Sequence, residues 1–202
     1  MPTLDFSAER MYTYIKGFAA ALNWTDALNA LSFARKMHAG QDRKDGQPYI
    51  VHPLTIACHA LALGIKSEAV IAACLLHDIC EDCGVRPEDL PVSKPVQDSV
   101  RRLTHIKTVP LDVYYAEIRT DWVACLVKIL DRCHNVSSMA GTFTAAKCRD
   151  YIQESDTYVM PLFRVLKSEK PQLGDILFVL KYHITAMDNS MAALLGDAPA
   201  AS

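Results

Sequence analysis

AVIAACLLHDICED, residues 69–82, decides the fold. Its first eight residues are apolar with no polar face, the pattern of a helix buried on every side. His77, Asp78, Glu81 and Asp82 then follow within one and a half turns. Ionisable groups at the end of a buried helix cost several kcal/mol unless they are paired, neutralised or bound to a cation. A buried helix also needs other helices around it, and the rest of the chain reads as a supply of them.

Working outward on the N-terminal side, residues 7–22 set Met11, Tyr14, Ile15, Phe18, Ala19 and Leu22 at three- and four-residue steps. Residues 25–40 repeat this with Leu28, Leu31, Phe33, Ala34 and Met37, and Thr25 is the expected cap. GQDRKDGQPYIVHP, residues 40–53, is a polar loop, and Pro53 suits the first turn of a helix that ends at Gly64. His52 therefore sits at a loop-to-helix junction. Ser67 is the expected cap of the buried helix.

On the C-terminal side GVRPEDLPVSKP, residues 84–95, breaks the pattern before a helix near 95–106, and residues 107–120 have no legible periodicity. DWVACLVKILDRCHNVSSM, from Asp121, reads as a helix with Val123, Leu126, Val127 and Leu130 on one face. Lys128, Asp131 and Asn135 are grouped on it by steps of three and four. Two long helices, about 143–168 and 172–195, complete the chain, with GDAPAAS (196–202) as a frayed tail. No strand alternation or repeat interrupts this reading. The expected fold is all-α, a single helical bundle over residues 1–195.

The 202 residues, half of them hydrophobic, are enough for a substantial core. Lys plus Arg number 21 against 23 for Asp plus Glu, so no global basic excess points to a nucleic-acid polymer or an anionic membrane. The N-terminus has no secretory apolar run, and no segment approaches the roughly 18 apolar residues needed to span a bilayer. These features read as a soluble cytoplasmic chain. Seven scattered cysteines read as small buried hydrophobes in a reducing compartment, without disulfides. Cys80 and Cys83 form a lone CxxC with no second pair, so it is read as neither zinc nor redox site. His38, His59, His105 and His183 lack a motif and are read as surface or core.

If the helix continues through residue 82, steps of four place His77 beside Glu81 and Asp78 beside Asp82. One helix end would then present metal ligands and, a turn later, a carboxylate pair, an arrangement suited to metal-assisted hydrolysis. His52 and Asp131 are the further ligand candidates. Two imidazoles and two carboxylates suit manganese, iron or zinc better than calcium, which prefers oxygen alone.

The order His52, His77-Asp78, Asp131 resembles the H…HD…D ligand set of the HD-domain metal-dependent phosphohydrolases. More narrowly, GQDRKDGQPYIVHP (40–53), LLHDICED (75–82) and LVKILDRCHN (126–135) resemble, in family order, the hydrolase domain of the RelA/SpoT family. The length leaves no room for the synthetase and regulatory domains of long family members, so the chain looks like a small alarmone hydrolase. That resemblance implies a metal-dependent pyrophosphohydrolase, with Mn2+ as the usual cofactor and Fe2+ or Zn2+ as alternatives. Its substrate would be a guanosine or adenosine 3′,5′-polyphosphate of the (p)ppGpp type, releasing pyrophosphate. His52, His77, Asp78 and Asp131 would be the metal ligands, and Glu81 and Asp82 the acidic pair serving the attacking water. Arg43 and Lys44 would bind the nucleotide's base and phosphates, and Asn135 its sugar. Leu130 and Cys133 depart from the family's common KLADRLHN wording. The alternatives are an HD phosphatase acting on another nucleotide and a nucleotide-binding regulator that has lost turnover; the presence of all four ligands and both acids argues against the second. Neither the oligomeric state nor any site residue from the C-terminal third follows from the sequence.

Overall fold

The computed structural model describes residues 7–43 and 46–197. Among them the regular structure is helical, with no strand and one isolated bridge between Asp42 and Pro48. The helices are α1 (Ala8–Ala21), α2 (Thr25–Met37), α3 (Val51–Ala62), α4 (Glu68–Leu76), α5 (Ile79–Asp82), α6 (Lys94–Leu103) and α7 (Leu111–Ile118). There follow α8 (Trp122–Ser138), α9 (Ala145–Glu154), α10 (Met160–Glu169) and α11 (Gly174–Leu194). The chain divides into two compact units after Val127, within α8.

In the first unit α4 is the centre. Val70 through Leu76 are all fully buried, because a helix apolar all round has no face to give to water. α2, α3 and α6 pack against α4, while α1 covers α2 and α3. α7 occupies the segment whose pattern was illegible; its Tyr115 and Ile118 are fully buried and Tyr114 donates its hydroxyl to the Leu103 carbonyl, 2.6 Å.

The helix starts differ from the capping expected from sequence. Trp24, not Thr25, stands at the N-cap of α2, and Ser67 occupies the N-cap of α4 without a side-chain bond. Carboxylates from neighbouring helices serve instead. Glu68 of α4 accepts the Asp26 N–H at the start of α2, 2.6 Å, and Asp26 accepts both the N–H (2.9 Å) and the hydroxyl of Ser93 at the start of α6. Unpaired N–H groups at a helix start favour a negative partner from any source, and a tertiary carboxylate serves as well as a local cap. α8 starts as its sequence suggests, with the Asp121 carboxylate accepting the Val123 N–H at 2.8 Å.

In the second unit, Val136, Met139, Cys148 and Met191 form a buried cluster with Phe143, Ile152, Met187 and Leu195 against it. The expected helix over 143–168 is broken into α9 and α10 by one π turn, Ser155–Val159. Pro161 gives the reason: it has no N–H for the carbonyl four residues back and its ring crowds that carbonyl, so the backbone widens ahead of it. The helix expected over 172–195 begins with a 3-10 turn, Pro171–Leu173, before α11. Of the expected tail, Gly196 and Asp197 are described, and Asp197 pairs with Arg149 at 2.8 Å; residues 198–202 lie outside the described residues. No helix among the described residues is long and apolar enough to cross a membrane.

Candidate metal centre

The buried helix ends one residue before its ligands. α4 stops at Leu76, His77 and Asp78 form the joint, and α5 restarts at Ile79, so the single continuous helix expected through residue 82 is corrected to two helices. Asp78 lies at φ −98°, ψ −10°, at the edge of the helical region. The joint frees the last carbonyls of α4, and one of them, that of Cys74, takes the His77 Nδ1–H at 2.8 Å. That bond leaves the Nε2 lone pair of His77 facing away from its own helix, the tautomer a metal ligand needs.

Three expected ligands meet there. His52 Nε2 lies 3.1 Å from His77 Nε2, and Asp78 Oδ2 lies 3.3 Å from His52 Nε2 and 3.1 Å from His77 Nε2. One ligand atom from each falls within 4.8 Å of the others, the one such group of three among the described residues. Both imidazoles are buried. Burial raises the Asp78 carboxyl, but the His77 and His52 imidazoles outweigh it and hold the group well below the usual carboxylate range. Two imidazole nitrogens and a carboxylate oxygen pointed at one spot fit a divalent cation: they are the donor types such ions take from nitrogen and oxygen ligands.

Glu81 and Asp82 are exposed on α5. Glu81 accepts the backbone N–H of His105, just past α6, while Asp82 N–H still donates to the Asp78 carbonyl at 2.9 Å. Arg43 is held by its backbone: its N–H donates to the Gln47 carbonyl at 2.7 Å and its carbonyl accepts from Gly46 at 2.9 Å, with Gly46 at φ +81°. Lys44 lies outside the described residues.

Asp131 and Asn135 belong to the second unit. Asp131 is buried on α8, where Asn135 Nδ2 donates to its Oδ1 at 2.7 Å and Lys128 Nζ lies 3.5 Å from its Oδ2. Asn135, expected to touch a sugar, is thus placed on the ligand candidate itself. The next residue, Arg132, is almost fully buried. It pairs with Glu154 at 2.5 Å, donates to the Tyr151 carbonyl at 3.2 Å and lies 4.4 Å over the Tyr151 ring.

Sequence reasoning missed Tyr49. Its hydroxyl donates to Asp78 Oδ2 at 2.8 Å, and it also bonds Asp82. Burial first, then the Asp78 and Asp82 carboxylates, push its hydroxyl well up, so it stays a donor. Its ring stacks on His38, 4.7 Å between centroids, which places that supposedly bland histidine behind the centre. The available signal was PYIVHP itself: a tyrosine three residues before a buried histidine ligand needs a partner for its hydroxyl. All seven cysteines are free thiols, and burial pushes Cys80 to about 11.

Known proteins resemble this chain. The HD domain family model matches residues 30–107, which contain three of the four expected ligands. The chain is 32% identical over 165 residues to the guanosine-3′,5′-bis(diphosphate) 3′-pyrophosphohydrolase of Aquifex aeolicus, covering 76% of this chain and 23% of that protein. It is 32% identical over 160 residues to the Haemophilus influenzae protein of the same name, covering 72% and 23%. Against the bifunctional (p)ppGpp synthase/hydrolase SpoT of Escherichia coli the identity is 29% over 170 residues, covering 75% and 24%. The chain therefore spans about a quarter of the length of the curated relatives it matches. Among solved structures, a metazoan ortholog of SpoT described as hydrolysing ppGpp superposes with a TM-score of 0.61 at 20% identity, covering 81% of this chain and 93% of that one. Residues 30–107 thus match the HD domain family, and the chain is similar over about three quarters of its length to SpoT-type proteins.

Proposed function

We propose that this chain is a metal-dependent phosphohydrolase that removes the 3′-diphosphate of (p)ppGpp-type nucleotides as pyrophosphate, with residues 1–195 acting as one HD-type unit. The observation that carries the reading is the convergence of His52, His77 and Asp78 on one spot, with an acidic pair on the helix that follows directly. The relatives named for this reaction support it, as does the fold of the metazoan protein.

In this reading His52, His77, Asp78 and, as the fourth ligand, Asp131 hold the divalent ion, and Mn2+ is the ion we assign. When bound, such an ion lowers the pKa of a water and polarises a phosphoryl oxygen. Glu81 and Asp82 take and return the proton of the attacking water. Arg43 and Lys44 hold the phosphates, since a polyanionic ligand needs local cations even on a chain of net charge −2. Asn135 orients Asp131 through its 2.7 Å bond and reaches the nucleotide's sugar. The leaving group is the ribose 3′-oxygen.

A panel of guanosine and adenosine 3′,5′-polyphosphates, nucleoside monophosphates and phosphorylated dinucleotides, incubated with the Mn2+-loaded protein, tests this. Pyrophosphate and orthophosphate are measured separately. Pyrophosphate from a 3′,5′-bis(diphosphate) supports the reading. Orthophosphate as the sole inorganic product moves the chain to the general HD phosphatases, and no product from any nucleotide makes it a binding protein.

A further inference from the structure

The loop that carries Arg43 is not simply tethered at its ends. Tyr49 N–H donates to the Gln41 carbonyl at 2.8 Å, which with the Arg43-to-Gln47 bond pairs residues 41–43 with residues 47–49. The side chains of the two end residues of this pairing, Gln41 and Tyr49, both reach His38. Gln41 bonds His38 Nδ1 at 2.8 Å and donates to Cys83 Sγ, at the end of α5, at 3.6 Å. Tyr49, clamped by its stack on His38 and with its edge toward His52 at 6.0 Å, gives its hydroxyl to Asp78 Oδ2. That is the same oxygen that faces both imidazoles. A carboxylate oxygen has two lone-pair directions, so a donor fixed on one of them leaves the other aimed at the histidines.

We infer that Tyr49 is a positioning residue that ties the paired segments 41–43 and 47–49 to the ligand oxygen of Asp78, so that occupancy of the metal centre and the position of Arg43 depend on each other. The inference rests on the metal-dependent reading above. The hydroxyl holds Asp78 in the rotamer that presents Oδ2, as hydrogen-bonding partners of metal ligands do elsewhere, where their loss costs ten- to a hundredfold in affinity. In the other direction, an ion that fixes Asp78 also fixes the hydroxyl's acceptor and steadies the pairing of 41–43 with 47–49 that Tyr49 ends.

The test is Tyr49→Phe, which keeps the ring between His38 and His52 and removes only the hydroxyl. Titration of the metal-free full chain with Mn2+, followed by calorimetry, is expected to give a Kd weakened about ten- to a hundredfold, with the melting temperature of the metal-free protein close to wild type. A Kd within twofold of wild type overturns the inference while leaving the metal site standing. A wild-type chain that takes up no divalent ion overturns the metal reading, and the inference with it. A second measurement needs no variant: hydrogen exchange of wild type with and without Mn2+. Slower exchange of the amides of Arg43 and Tyr49 on Mn2+ addition is expected, and unchanged exchange there, with metal bound, contradicts the coupling.

Discussion

At the scale of single residues, chemistry was legible where it is bound to residue type. Imidazoles and carboxylates in a buried frame have few uses, so His52, His77 and Asp78 could be read as ligands, and the structure brings their donor atoms to within 3.1–3.3 Å. Tyr49 escaped because its segment reads as a polar loop, and its role depends on where one oxygen ends. The placement of Asn135 on Asp131 escaped for the same reason, although the four-residue step was visible. The proposed division of labour predicts that ligand and acid variants fail differently. Asp78→Ala should lose metal and turnover together, because the two imidazoles lose the carboxylate set directly beside them; elemental analysis finding full occupancy in that variant contradicts the ligand role. Glu81→Gln should hold the metal and lose kcat by about a hundredfold or more, since an amide accepts no proton. A kcat near wild type makes Glu81 a bystander held by the His105 amide.

At the scale of helices, the apolar pattern located α4 and the loop-to-helix junction at His52, but not the break at His77-Asp78. Periodicity reports which face is buried, and it is silent on where a backbone pauses to aim a ligand. Caps failed for a related reason: sequence offers the local Thr25 and Ser67, whereas the structure uses Glu68 and Asp26 from neighbouring helices. Pro161 did carry the signal for the π turn at Ser155–Val159, and a proline within a long helical pattern is the feature to weigh. The tertiary capping makes a comparison possible. Asp26→Ala should cost about 1 kcal/mol, lowering the melting temperature by about 2–4 °C, because it strips the start of α6 of its acceptor. Thr25→Ala should change it by less than about 1 °C, since that hydroxyl caps nothing. Thermal melts in which Thr25→Ala is the more damaging variant contradict this account of the helix starts.

At the scale of the molecule, the sequence made the all-α class plain, because no segment alternates and most apolar runs step by three or four. It did not reveal the two compact units, since the division falls inside α8, where the pattern is unbroken. Nor did it reveal Asp188, a carboxylate on α11 that is only 5% exposed. Burial pushes it to about 6; Ser155 and Arg132 pull it back and Asp156 adds to the rise. With its folded pKa raised above the ordinary value of 3.8, the folded chain holds a proton there that the unfolded chain has already released. Its contribution is therefore most favourable below about pH 4, is lost as pH rises through 6, and stays level above. Asp188→Asn should stabilise the protein at pH 7.5 by on the order of 2–3 kcal/mol, with the gain vanishing near pH 4. Melting curves in which the variant is equally or less stable at pH 7.5 contradict that sign. The central claim concerns the reaction, and one experiment reaches it most directly. With the Mn2+-loaded protein turning over guanosine 3′,5′-bis(diphosphate) in oxygen-18 water, attack at the phosphorus nearest the sugar predicts label in the released pyrophosphate and none in the nucleoside diphosphate. Label on the nucleotide, or orthophosphate in place of pyrophosphate, contradicts it.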